Sequence, residues 1–194
     1  MKAVELGLKI NLPKEEAERI LLNNGFKCIF KTVTHDVYYA KPGTDFSGMS
    51  EYDIKMNCVR VRNDNNFDNL CLIQEDFPVK TKLDGKKAKK VMKMIKSAGY
   101  LKVFDTKKTD WIYVKDKISH QLQDIDNIGL LDYVYDESIF GKSEDEQYSY
   151  LITHMKNLGI GLENELGVDK LRSLYSGELK YSKNQNGDYY YKDK

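Results

Sequence analysis

The sequence has little of what would place a chain quickly. Only three of its 194 residues are cysteine. Cys28, Cys58 and Cys71 are odd in number and show no metal-ligand spacing, which argues against a disulfide framework or a zinc site and fits free thiols in a reducing compartment. No apolar run approaches the about 20 residues of a membrane span, so no membrane partner is expected. The first residues lack a basic segment followed by a long apolar one; no secretory signal is expected, and the location that follows is cytoplasmic. Charge of one sign is not in excess either. Charged residues make up 31% of the chain, yet the formal net charge is +1, which speaks against general nucleic-acid binding. His35, His120 and His154 are scattered, with no nucleophile motif beside them, and take structural or surface roles. Asp84-Gly85-Lys86-Lys87 lacks the spacing of a phosphate loop.

What is present is strand patterning. Ala3 to Ile10 alternates strictly, with Val4, Leu6, Leu8 and Ile10 on one face and Glu5, Gly7 and Lys9 on the other. Asn11-Leu12-Pro13 starts a helix that Asn24-Gly25 ends. Strands are predicted over Phe26 to Thr34, Asp36 to Ala40, Met56 to Arg62 and Asn69 to Gln74. A helix covers Leu83 to Ala98, and its lysines form a solvated basic face. Three strands follow, over Lys102 to Thr106, Trp111 to Gln123 and Leu130 to Tyr135. Helices over Ser143 to Leu158 and Val168 to Tyr175 come last, and Asn186-Gly187 marks a small hairpin in the tail. The order defines an α+β domain dominated by antiparallel strands.

Several strands carry a polar face of unusual composition. Arg60 and Arg62 share one face opposite Val59 and Val61, and Ser119, Gln121 and Gln123 alternate with Ile118, His120 and Leu122. Two readings stay open: each row is the solvent side of a sheet, or the sheet closes into a barrel whose interior is polar and holds a charged ligand.

Glu5-x-x-x-Lys9 resembles the N-terminal Glu-x-Glu-x-Lys strand of the CYTH, or triphosphate tunnel metalloenzyme, superfamily. The likeness continues in order. Asp36-Val37-Tyr38-Tyr39 is similar to the strand after the first helix in class IV adenylyl cyclases, and Val59-Arg60-Val61-Arg62 resembles the Leu-Arg-Ile-Arg strand. Lys107-Lys108-Thr109 resembles the Lys-x-Arg strand, and Ile128-Gly129 the Leu-Gly before the late Glu-x-Glu strand. Leu158-Gly159-Ile160 and Leu171 to Tyr175 resemble the C-terminal helical cap. The match covers about residues 1–175 of a single domain spanning 1–194, with 176–194 as a tail.

The resemblance implies a closed eight-stranded antiparallel β-barrel, a tunnel with helices packed outside. It implies that Lys9, Arg60, Arg62 and Lys108 hold the phosphates of a triphosphate-containing small molecule, and that Glu5 holds Mg²⁺ or Mn²⁺ weakly. Arginine forks match phosphate oxygens well. The implied activities are metal-dependent triphosphate hydrolysis, thiamine triphosphate included, or adenylyl cyclisation. The alternative is a catalytically degenerate protein that senses or sequesters a polyphosphorylated metabolite. The departures favour attention to that alternative. Gly7 stands where the pattern has its second Glu, Gln74 at a Lys, Asp110 at the Arg of Lys-x-Arg, and Gln123 at an Asp. Tyr133 and Tyr135 stand at the late Glu-x-Glu. Two metals would require Asp124, Asp126, Asp132 or Glu137 to enter by a shift of register.

Overall fold

The computed structural model describes residues 4–47, 49, 53–54, 57–64, 69–74, 79–83, 85–126, 128–160, 162–168, 181–185 and 188–191. These residues contain eleven strands and three α-helices. In chain order they are β1 (Leu6–Ile10), α1 (Lys14–Asn23), β2 (Lys27–Ala40), β3 (Val59–Asp64), β4 (Asn69–Gln74), β5 (Val79–Leu83) and α2 (Gly85–Ser97). There follow β6 (Leu101–Lys115), β7 (Ile118–Ile125), β8 (Gly129–Asp136), α3 (Glu144–Leu158), β9 (Leu162–Val168), β10 (Tyr181–Gln185) and β11 (Asp188–Tyr191). The chain divides into two compact units. One comprises Met1–Lys31, Thr109–Val168 and Lys180–Lys194; the other comprises Thr32–Lys108 and Asp169–Leu179. β2 and β6 are long enough to contribute to both.

In the first unit the strand order is β11-β10-β9-β1-β8-β7-β6-β2. β1 pairs antiparallel with both β8 and β9, and β7 with β8. The apolar face of β1 does what its alternation predicts. Val4, Leu6, Leu8 and Ile10 are buried against Ala17 and Leu21 of α1 and Leu151 and Met155 of α3. A fully buried leucine of this kind contributes about 1.5–3 kcal/mol. α3 starts on a capping box, with Ser143 and Glu146 each bonding the other's backbone N–H, and stops at Gly159 in the left-handed conformation.

In the second unit the order is β6-β2-β3-β4-β5. β3 pairs antiparallel with β2 and β4, and β4 with β5. Its apolar cluster is smaller: Tyr38, Ala40, Phe46, Ile54, Cys58 and Phe104, with Tyr38 stacked on Phe104 at 4.5 Å between ring centroids.

The expected antiparallel α+β architecture is present. The expected closed barrel of eight strands is not: among the described residues the strand order of neither unit returns on itself, and more strands are formed. Alternation reports which face of a strand is buried but says nothing of the stagger between strands that closes a sheet.

Individual elements also differ. The two strands expected around His35 are one continuous β2, because the polar run Thr34-His35-Asp36 interrupts the apolar alternation without interrupting the pairing. The single strand expected over Trp111 to Gln123 is divided by a turn at Asp116, whose φ of 53° a short polar side chain tolerates. β5 and β9 were not expected. The helix expected over Val168 to Tyr175 lies outside the described residues apart from Val168, which ends β9. The C-terminal hairpin is formed, with Gln185 opposite Asp188.

Candidate functional site

In the second unit the sequence of β2 buries the polar side of the strand. Thr32, Thr34, Asp36 and Tyr38 are buried, whereas Val33 is exposed and Val37 is half-buried. β6 repeats the arrangement, burying Phe104, Thr106 and Lys108 and exposing Asp105 and Lys107. The β2–β3 register sets Asp36 opposite Arg62 and Tyr38 opposite Arg60, so all four side chains share one face.

The geometry on that face is specific. Arg62 donates from Nε and Nη2 to the two oxygens of Asp36, at 2.6 and 2.7 Å, a bidentate pair. Arg60 Nη1 stands 3.9 Å from Asp36 Oδ2. The Asp36 side chain is 1% exposed, Arg60 18% and Arg62 25%, so neither arginine projects into bulk solvent. Burial by itself would raise the Asp36 carboxyl. The hydrogen bonds and charge of Arg62, with the charges of Arg60 and Lys108, outweigh it and hold the group below the usual carboxylate range. Burial pushes the phenol of Tyr38 up, so that it stays neutral beside Arg60. Three cations thus act on one carboxylate. The structure brings together Arg60, Arg62 and Lys108 of the expected phosphate ligands.

Lys9 and Glu5 belong to the first unit. Glu5 precedes β1 and is exposed. Lys9 is half-buried, and its ammonium donates to the carbonyl of Ile128. That group lies over Gly129, whose φ of 96° already favours glycine and where any Cβ would meet the lysine Nζ. The register of β1, β8 and β7 aligns Gly7 with Tyr133 and Tyr133 with Gln121, and Lys9 with Leu131 and Leu131 with Gln123. Gly7 is covered by the Tyr133 ring: a Cβ there would stand 2.6 Å from Cε1 and 2.9 Å from Cδ1. Gln121 and Gln123 both donate their side-chain amides to Oδ1 of buried Asp110, the former at 2.8 Å. Tyr135 stacks on Phe140. The positions expected on one polar face therefore do share it. Gln74 ends β4, where side chains lie outside the described residues.

The opposite face of this sheet holds a group that sequence reading passes over. Asp132 and His120 are both fully buried, and His120 Nδ1 lies 2.6 Å from Asp132 Oδ2. His120 Nε2 meets Nε2 of His154, on α3, at 3.0 Å, and Phe26 packs edge-on to the His120 ring. Burial, then the charge of His120, lowers the pKa of His154. Separations of 12 and 34 residues hide this cluster, since only the β7–β8 register and the docking of α3 bring the three together; the one available signal is a histidine on the apolar face of a strand. His35, on β2, pairs with exposed Asp105 at 2.7 Å and is a surface group.

No protein-family profile and no curated protein sequence matches the chain. Solved structures do. A conserved hypothetical protein of Pyrococcus furiosus is similar with a TM-score of 0.57 at 17% identity, over 82% of this chain and 95% of its own. A candidate adenylate cyclase of Vibrio parahaemolyticus gives 0.54 at 13%, over 83% and 92%. A chain of the Schizosaccharomyces pombe Mediator head module gives 0.50 at 11%, over 81% and 96%. The fold is thus shared with a candidate nucleotide enzyme and with a component of a large assembly, and it does not by itself assign a role. Among the described residues no helix is long and apolar enough to cross a membrane, and no group of three or more His, Cys, Asp or Glu side chains is placed to hold a metal ion.

Proposed function

We propose that this chain is a CYTH-like protein whose polar sheet face binds a triphosphate or nucleoside triphosphate. One observation carries the reading: Arg60, Arg62 and Lys108 are gathered on one largely buried sheet face around the carboxylate of Asp36. A cluster of cations on a largely buried face suits a compact polyanion, and arginine offers planar paired donors that match phosphate oxygens. The fold shared with a candidate adenylate cyclase makes a nucleotide-type ligand the natural class.

Whether the ligand is turned over is a separate matter. A hydrolase or class IV-type cyclase would use a divalent cation and carboxylates to hold it. The glycine and tyrosine at positions 7 and 133 favour the second reading, a binding or sensing protein.

Titration calorimetry with tripolyphosphate and with ATP tests the proposal. Arg62→Ala should weaken binding by about 1.5–3 kcal/mol, the range for hydrogen bonds to charged groups. Unchanged affinity in the Arg60/Arg62 double alanine variant, or no binding at millimolar ligand, overturns it. Parallel assays of phosphate release and cyclic AMP formation separate the two readings.

A further inference from the structure

We propose that α2 is a docking surface for an anionic lipid layer, a role separate from the anion site of β2 and β3. The helix carries six of the 31 basic residues of the chain and none of its 30 acidic ones, so that everything outside it is net −5. Charge gathered in this way points to a charged partner rather than to the fold. The apolar side of the helix is already used: Ala88 is buried, and Val91, Met92 and Ile95 are half-buried, where α2 packs on β4 and β5. With 3.6 residues per turn, Lys89, Lys90, Lys93 and Lys96 fall within an arc of about 120° on the other side, and all four are exposed.

That pattern works against the helix itself. Lysines three and four apart repel one another, and the first turn holds Lys86 and Lys87 without an acid, at the positive end of the helix dipole. α1 shows the ordinary solution, with Lys14 paired to Glu18 and Arg19 to Glu16 along its length. A face that is merely solvated gains nothing from the repulsion, whereas a face that meets an array of negative charge is relieved of it.

Residue type selects the partner. Lysine is a strongly hydrated point charge. Arginine is the preferred donor to the phosphates of nucleic acids, and lysine is depleted from protein interfaces. Several lysines on one helix face suit lipid headgroups, whose charge is diffuse and spread over a plane, so that each lysine adds its share. Met94, 61% exposed, stands beside Lys90 around the helix, and Leu101, 57% exposed, follows the helix end that Gly99 turns. Both offer apolar side chains to the headgroup boundary. Docking of this kind needs no spanning helix.

Flotation of the full chain with vesicles tests the proposal. The chain should bind vesicles of phosphatidylcholine containing about one third phosphatidylserine and not vesicles of phosphatidylcholine alone. Binding should fade as the screening length falls from about 10 Å at 0.1 M salt to about 3 Å at 1 M. The triple variant Lys89→Gln/Lys90→Gln/Lys93→Gln should bind about tenfold more weakly or worse. Lys27→Gln/Lys41→Gln/Lys117→Gln removes the same charge from other exposed positions and should change binding by no more than about threefold. No binding to the anionic vesicles, or equal losses in the two variants, overturns the proposal. So does tighter binding, lost in the α2 variant, to polyglutamate or to duplex DNA at the same charge concentration, which would give the face to an acidic protein or to nucleic acid. The tripolyphosphate titration reads the β2–β3 face, so either proposal can fail while the other stands.

Discussion

The two compact units each bury a carboxylate against nitrogen bases, and they do so in different ways. Asp36 is engaged by two arginines and a lysine, whose charges hold its carboxyl below the usual range. Asp132 is engaged by His120 and, through it, by His154, an imidazole whose pKa burial lowers. Under the proposed function, the cations of the first group draw the anion. The second is a packing feature of the core beneath α3, with Oδ1 of Asp132 buried and making no hydrogen bond. Polar burial alone therefore does not mark a ligand site. What distinguishes the Asp36 face is that guanidinium and ammonium groups gather around the carboxylate and that its two arginines keep some exposure.

Removing the carboxylate from the first group is the most severe test of the contrast. Asp36→Ala would take from Arg60 and Arg62 a buried carboxylate partner, and breaking such a pair from one side costs about 3–5 kcal/mol. Urea unfolding should show a loss of that order, and tripolyphosphate should raise Tm more in the variant than in the natural chain, because the added anion replaces the missing charge. A loss below about 1 kcal/mol would mean that the arginines reach water and that the cluster is a surface feature. The acid side has the same origin. A carboxyl held below its usual range contributes stability that is complete above about pH 3.9 and is lost as the pH falls through its lower folded value. The corresponding loss in Asp36→Ala should be smaller.

The imidazole group should respond in a different window. The pKa of His154 is lowered by burial and then by the charge of His120; Asp132 and Asp136 act in the opposite sense and Lys115 adds to the lowering. A base whose folded pKa is depressed takes up its proton more readily in the unfolded chain. Stability is then complete above the ordinary histidine value of about 6.5 and declines as the pH falls from there through the folded value. One proton can contribute at most about 1.4 kcal/mol per pH unit. Tm measured between pH 7.5 and 5.5 should fall in the natural chain and fall less in His154→Gln. An equal fall in both would place the acid sensitivity elsewhere.

The same contrast sorts what could be read without coordinates. The apolar side of β1, both ends of β4 and the capping box of α3 follow from local pattern, because one face or one turn suffices to fix each. The sharing of a face by Arg60 and Arg62 also follows from their spacing of two, whereas the addition of Asp36 depends on the β2–β3 register. The sequence pattern divides β2 in two because its buried side is threonine and aspartate, and apolar periodicity cannot register a polar interior. The fit of Tyr133 to Gly7 was half legible. The departures from the pattern flagged both positions, but that they are partners across one strand pair depends on register, which residues far apart in sequence set together. The Asp132–His120–His154 group depends in addition on where α3 docks, which no spacing encodes.

The smallest expected effect separates interior from surface charge. α2 carries Lys89, Lys90 and Lys93 on its exposed side, and these could attract a polyanion by charge alone. At physiological salt the screening length is about 8 Å, so solvated lysines act weakly at a distance and hold no fixed donor geometry. Replacing all three by glutamine would lower the net charge by as much as removing Arg60, Arg62 and Lys108, yet the tripolyphosphate affinity should change by no more than about threefold, against the about ten- to hundredfold loss for Arg62→Ala. Stability should stay within about 0.5 kcal/mol, as for other surface substitutions. Calorimetry at two salt concentrations reads the difference directly, because a screened surface contribution fades with salt while a contact on a buried face fades less. A tenfold loss in the lysine variant at high salt would move the anion site from the β2–β3 face to α2.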